Sequence, residues 1–207
     1  MSRRLTKSYM LVSIAMMSAL AIFFDVFSDT LSIRVAWGMK IDFVGTVWVL
    51  SYFLYGLSVA FPVSIITTLF IALVMPTSFI GGAMKFIATI PMFLVPALLS
   101  YVSSLSNRNQ NSIRSSKLFN SLLMIIGVAI LANVVRLVVA TTANYYWAIP
   151  LWLGIPTDRI LDVLFGGSIV EFVIYVAGLN VIQGIIDIFV SWLLAFKFKL
   201  SAMFGTW

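Results

Sequence analysis

Apolar residues in this chain come in blocks. Each block is close to the roughly 20 residues a helix needs to cross the hydrocarbon core of a bilayer. Six stand out, at about 8–27, 42–60, 61–76, 84–104, 118–143 and 167–196. Gly56 and Pro62 mark a tight connection before the third block, where Pro62 suits a first helical turn. Pro76 and the pair Gly81–Gly82 break the chain before the fourth, and Pro91 and Pro96 predict a bend inside it. The stretch 106–117, SNRNQNSIRSSK, reads as a soluble loop. No internal repeat is visible. The pattern predicts an all-α integral membrane protein. The expectation is a six-transmembrane-helix bundle, one domain over residues 1–207, with both termini cytoplasmic.

Composition agrees. The chain is 62% hydrophobic and 10% charged, with a mean hydropathy of +1.10, whereas soluble domains are about half apolar and a quarter charged. There is no cysteine and no histidine, which excludes disulfides, thiolate nucleophiles, imidazole bases and most zinc or copper sites. The acids are scattered without metal-ligand spacing, and GGS at 166–168 lacks the lysine of a phosphate loop. Ser–Lys chemistry needs no histidine, but no serine is matched to Lys40 or Lys85. The expectation is a protein that is not an enzyme and carries no cofactor. The net charge of +6 does not point to nucleic acid, because the basic residues cluster at segment ends. The start, MSRRLTKSYM, resembles the basic region of a signal peptide. No small-residue cleavage site follows, so a retained first span is expected.

The charges orient the bundle. With six spans and an inner amino terminus, Arg3, Arg4, Lys7, Arg108, Arg114, Lys117, Lys197 and Lys199 fall inside. Asp25, Asp29, Asp42, Asp158, Asp162 and Glu171 fall outside, with only Arg34, Lys40, Lys85 and Arg159. Eight basic residues against four satisfy the positive-inside rule for a multi-pass cell-membrane protein. The elaborate connections, 28–41 and 144–166, are then the outer ones, so a site is expected to open outward.

Three features carry candidate chemistry. The run Asn144–Trp152, NYYWAIPLW, is either a headgroup belt or the wall of a pocket for a flat, partly polar ligand. Arg136 and Asp187 are charges at membrane depth, costly unless each faces a partner or a cavity. Counted along their segments, Arg136 lies nearer the outer face than Asp187, which argues against direct pairing and leaves Glu171 or a ligand as a partner for Arg136. Asn180, Gln183 and Asp187 share one stripe of the last segment, facing either neighbouring helices or a water-filled cavity. In the first span, Ala15 and Ala19 form a small-xxx-small pair that lets another helix approach.

These residues resemble a family. The six-span length, the AMMSA alanine pair and the polar outer connections look like the substrate-binding (S) component of energy-coupling factor vitamin transporters. MKIDF at 39–43, NYYWAIPL and GLNVIQG at 178–184 are similar to its riboflavin-specific members. The resemblance implies that the first outer loop (Trp37, Gly38, Met39, Lys40), the end of the fifth span (Asn144, Tyr145, Trp147) and the sixth span (Asn180, Gln183) enclose the vitamin. It also implies that Ala15 and Ala19 touch a shared membrane (T) component driven by two ATPase subunits. The chain departs from the pattern twice. Asp42 is followed by Phe43, Val44, Gly45 and Thr46 rather than Ser-Asp-x-Pro, and Gln183 stands where lysine is usual.

Overall fold

The computed structural model describes residues 6–31, 39–75, 78–106 and 119–205. Every element among them is helical. In chain order these are α1 (Lys7–Leu31), α2 (Val44–Tyr55), α3 (Leu57–Val74), α4 (Ser78–Thr89), α5 (Pro91–Ser106), α6 (Leu122–Ala143), α7 (Ile149–Leu153), α8 (Ile160–Phe165), α9 (Ile169–Trp192) and α10 (Leu200–Phe204). Five helical stretches are long and apolar enough to span a membrane: Lys7–Thr30, Leu57–Val74, Phe79–Leu105, Leu122–Leu153 and Ile169–Lys197. Large apolar side chains such as Leu11, Leu73, Leu123, Ile130 and Ile174 are mostly exposed on them, as lipid-facing residues must be.

The remaining apolar helix, α2, differs from its expected span of 42–60: it has only 12 residues. Residues Val44–Leu54 are all buried, and the helix packs against α1, α3, α5 and α9. A helix apolar all round belongs at the centre of a bundle. Enclosed by protein, it need not match the bilayer in length. Gly56, at φ 79°, reverses the chain into α3 without a loop. The third helix therefore begins at Leu57, earlier than the expected 61, and Pro62 falls six residues in rather than in its first turn. The expected bend in the fourth span is a break at Ile90, between α4 and α5, with Pro91 opening α5.

The fifth span extends furthest beyond expectation. From α6 the chain continues through a π-helical turn, Asn144–Ala148, directly into α7. Most of the aromatic run is therefore helix rather than connection. Gly154, at φ 65°, ends it. Below that stop α7, α8 and the start of α9 close a second small core of Ile149, Ile160, Phe165, Phe172 and Val176. The GGS stretch is a helix junction. Gly166 and Gly167 have positive φ, and the Ser168 hydroxyl accepts the Glu171 N–H at 3.2 Å. This is the S-x-x-E spacing of a capping box. Ser168→Ala should cost about 1 kcal/mol, read as a lower thermal-unfolding midpoint in detergent.

Hydrogen bonds sort the helix ends. Tyr9 Oη donates to the Phe204 carbonyl at 3.0 Å, and Trp192 Nε1 donates to the Phe119 carbonyl at 2.7 Å. The beginnings of α1 and α6 therefore meet the end of the chain at one end of the bundle. The end of α1, the beginnings of α2 and α4, and the end of α6 gather at the other. Of the residues used above for orientation, Arg3, Arg4, Arg34, Arg108, Arg114 and Lys117 lie outside the described residues.

Candidate functional site

At that second end a cavity of about 100 Å³ opens between α1, the segment 39–42 that leads into α2, α3, α4, α6, α7 and α9. It has room for several waters but is smaller than the roughly 300 Å³ of a typical ligand pocket. Its apolar wall includes Met39, Ile71, Ile80, Met84 and Trp152. Its polar wall is built from three cations, each beside a carboxylate, and three amides.

The deepest pair joins α6 to α9. Arg136 Nη1 donates to Asp187 Oδ2 at 3.0 Å, and both side chains are essentially inaccessible. This overturns the expectation that the two would not pair. The reason lies in the extended fifth span. Its far end is Leu153, not Ala143, so Arg136 lies 153 − 136 = 17 residues from one helix end and Asp187 lies 187 − 169 = 18 from the other. The two charges stand at equal depth. Arg136 Nε also donates to Asn180 Oδ1 at 3.2 Å.

Gln183 ties α9 to the start of α2. Its Oε1 accepts the Asp42 N–H at 3.1 Å, while its Nε2 donates to the Asp42 carbonyl at 2.7 Å and to Asp187 Oδ1 at 2.9 Å. These partners fix the amide orientation, since a flipped amide would set oxygen against two acceptors. One side chain thus grips both backbone polar groups of a single residue. Gly45 lets α2 approach this closely, because a Cβ there would collide with the Asp187 carboxylate. The Ser191 hydroxyl stands 2.6 Å from the carbonyls of Thr46 and Asp187 and adds a further link.

Two more cations line the rim, each held by carboxylate. Lys85 Nζ reaches Asp42 Oδ1 at 2.5 Å, and the same oxygen accepts the Val44 N–H, at the first residue of α2, at 2.9 Å. Lys40 Nζ lies 2.7 Å from Asp25 Oδ1 and 2.5 Å from Asp29 Oδ1, fastening the chain before α2 to the end of α1.

Of the residues expected at a site, Met39, Lys40, Asn144, Asn180 and Gln183 all border the cavity. Their roles differ. Asn180 and Gln183 spend their polar atoms on protein partners, so they shape the wall. Lys40 is committed to two carboxylates. Asn144 donates to the Ala140 carbonyl at 2.8 Å, and its Oδ1 meets no donor among the described residues. Tyr145 packs edge-on against Phe172, and Trp147 against Phe79; both rings stand behind the wall. Trp37 and Gly38 lie outside the described residues. Ala15 and Ala19 sit on the exposed face of α1.

Sequence reasoning missed Asp25, Asp42 and Lys85 as wall residues, whereas Trp152 belongs to the run 144–152 offered above as a pocket wall. One signal was available. Arg136, Ala140, Asn144, Ala148 and Trp152 recur every four residues, a single helical stripe, and all but Ala140 line the cavity. The two small alanines leave room between a guanidinium at the bottom, an amide midway and an indole at the mouth. The N–H groups of Arg136 Nη2 have no acceptor among the described residues, and only one Lys85 N–H is used within them. The cavity therefore offers donors at its base, an acceptor midway and apolar surface around them. It suits a small, partly flat molecule with carbonyl or hydroxyl edges.

No protein-family model matches the chain, and neither a curated protein nor a solved structure does.

Proposed function

We propose that this chain is the substrate-capturing S component of an energy-coupling factor vitamin importer in a prokaryotic cell membrane, with riboflavin or a related flavin as ligand. In this reading α2 counts as a sixth span, both termini are cytoplasmic, and the cavity faces outward. One observation carries the reading. Inside an otherwise lipid-compatible bundle, at the end opposite Tyr9 and Phe204, donors of Arg136 and the Asn144 side-chain carbonyl, without partners among the described residues, face a cavity whose wall includes Trp152. Lipid offers such groups no partner, so their retention argues for a polar occupant.

No bond of the vitamin changes. Capture rests on contact with the indole and on a few hydrogen bonds. The cavity is smaller than a flavin, so entry requires its walls to part. Met39 and Met84 are flexible enough to re-pack around a ring. With no phosphate-loop sequence in the chain, energy comes from two partner ATPases through a membrane T component. That component docks on the exposed Ala15–Ala19 face of α1, where small side chains permit close helix approach.

Titration of detergent-purified protein with riboflavin should quench flavin fluorescence at one-to-one stoichiometry. Asn144→Ala should weaken binding roughly fivefold to tenfold, about the worth of one hydrogen bond. Absent quenching would eliminate the flavin. The saturated amides of Asn180 and Gln183 favour a second reading, a membrane scaffold subunit whose polar stripe only joins helices. That reading predicts no ligand of any kind.

A further inference from the structure

The cavity's charges are already matched, and this bears on what it accepts. Lys40 is held by Asp25 and Asp29, Lys85 by Asp42, and Arg136 by Asp187. Each of the three cations thus has a carboxylate beside it, so among the described residues none is left uncompensated. The remaining donors of Lys85 and Arg136 are hydrogen-bonding groups without spare charge. They suit a carbonyl or hydroxyl oxygen. A phosphate or carboxylate on the ligand would carry its charge into a poorly solvated place beside Asp25 and Asp42 with no spare cation to meet it, and an unpaired charge is costly to bury.

We propose that the cavity selects an uncharged ligand over an anionic one, and that Asp42 sets this preference by neutralising Lys85. The inference rests on reading the cavity as the capture site and names the charge class it takes.

Asp42 is well placed for a test by charge alone. Gln183 grips its backbone rather than its carboxylate. Asp42 Oδ1 serves Lys85 and the Val44 N–H, whereas its Oδ2 has no hydrogen-bond partner among the described residues. Asn at this position keeps a side-chain oxygen that can accept the Val44 N–H. It leaves Lys85 as an uncompensated cation at the cavity wall.

The test compares riboflavin with riboflavin 5′-phosphate by fluorescence quenching, for the wild type, Asp42→Asn and Lys85→Gln. The wild type should prefer riboflavin by about tenfold or more, the scale of one unit-charge interaction across several ångströms of partly screened protein. Asp42→Asn should move that ratio about tenfold toward the phosphate. Lys85→Gln, which leaves the Asp42 carboxylate without its cation, should move it the other way, so that either variant alone still decides. Equal wild-type affinity for the two flavins, or a ratio unmoved in a variant that still binds riboflavin, would overturn the inference and spare the flavin reading. A wild type that binds neither flavin would overturn that reading and this inference with it.

Discussion

Arg136→Met destabilises the protein by about 3–5 kcal/mol, the usual cost of leaving one member of a buried ion pair alone. Asp187 is fully buried, and among the described residues the guanidinium is its only ion-pair partner. Gln183 and a long contact from Thr46, 3.4 Å, are neutral donors that cannot replace it. The double variant Arg136→Met with Asp187→Leu should recover most of the loss, because replacing a whole buried pair with apolar groups of similar size is often neutral. Reversible unfolding in mixed detergent micelles, run as a double-mutant cycle, reads the coupling. Full additivity of the two single changes would show that the pair is not the joint between α6 and α9.

Gly45→Val should be nearly as damaging, for a steric reason. The new Cβ falls onto the Asp187 carboxylate, which cannot swing away because Arg136 and Gln183 hold its two oxygens. Either α2 backs off, losing the Gln183 grip on Asp42, or the ion pair opens. Each route costs several buried hydrogen bonds, on the order of 3 kcal/mol or more. Gly178→Ala is the control. It lies on α9 with open space where its Cβ would go, and alanine favours helix over glycine by up to about 1 kcal/mol. The same unfolding assay should separate the two. Equal effects would mean that close approach of α2 to α9 is unimportant.

Much of the fold was legible because lipid makes membrane helices announce themselves as long apolar runs. The cavity was partly legible for the same reason. Arg136, Asn180, Gln183 and Asp187 are anomalous in such runs, and anomalous groups must turn inward. Two things were hidden. The Arg136–Asp187 pairing depends on where the fifth span ends, and its aromatic run looked like a connection until the π-helical turn carried the helix through it. The Gln183 grip is on the backbone of Asp42, and every residue but proline has those same groups, so no sequence pattern marks it. Lys85 and Asp25 were visible only as charges near segment ends, where topology explained them without a site.

The central claim is that the cavity beneath Trp152 holds a small polar molecule. Mass spectrometry of what the wild-type protein carries through purification tests it most directly, with Asn144→Ala as the comparison. The account predicts one uncharged heterocyclic compound, near equimolar with the wild-type protein and depleted in the variant. Lipid and detergent alone, identical in both preparations and unchanged after incubation with a vitamin mixture, would contradict it.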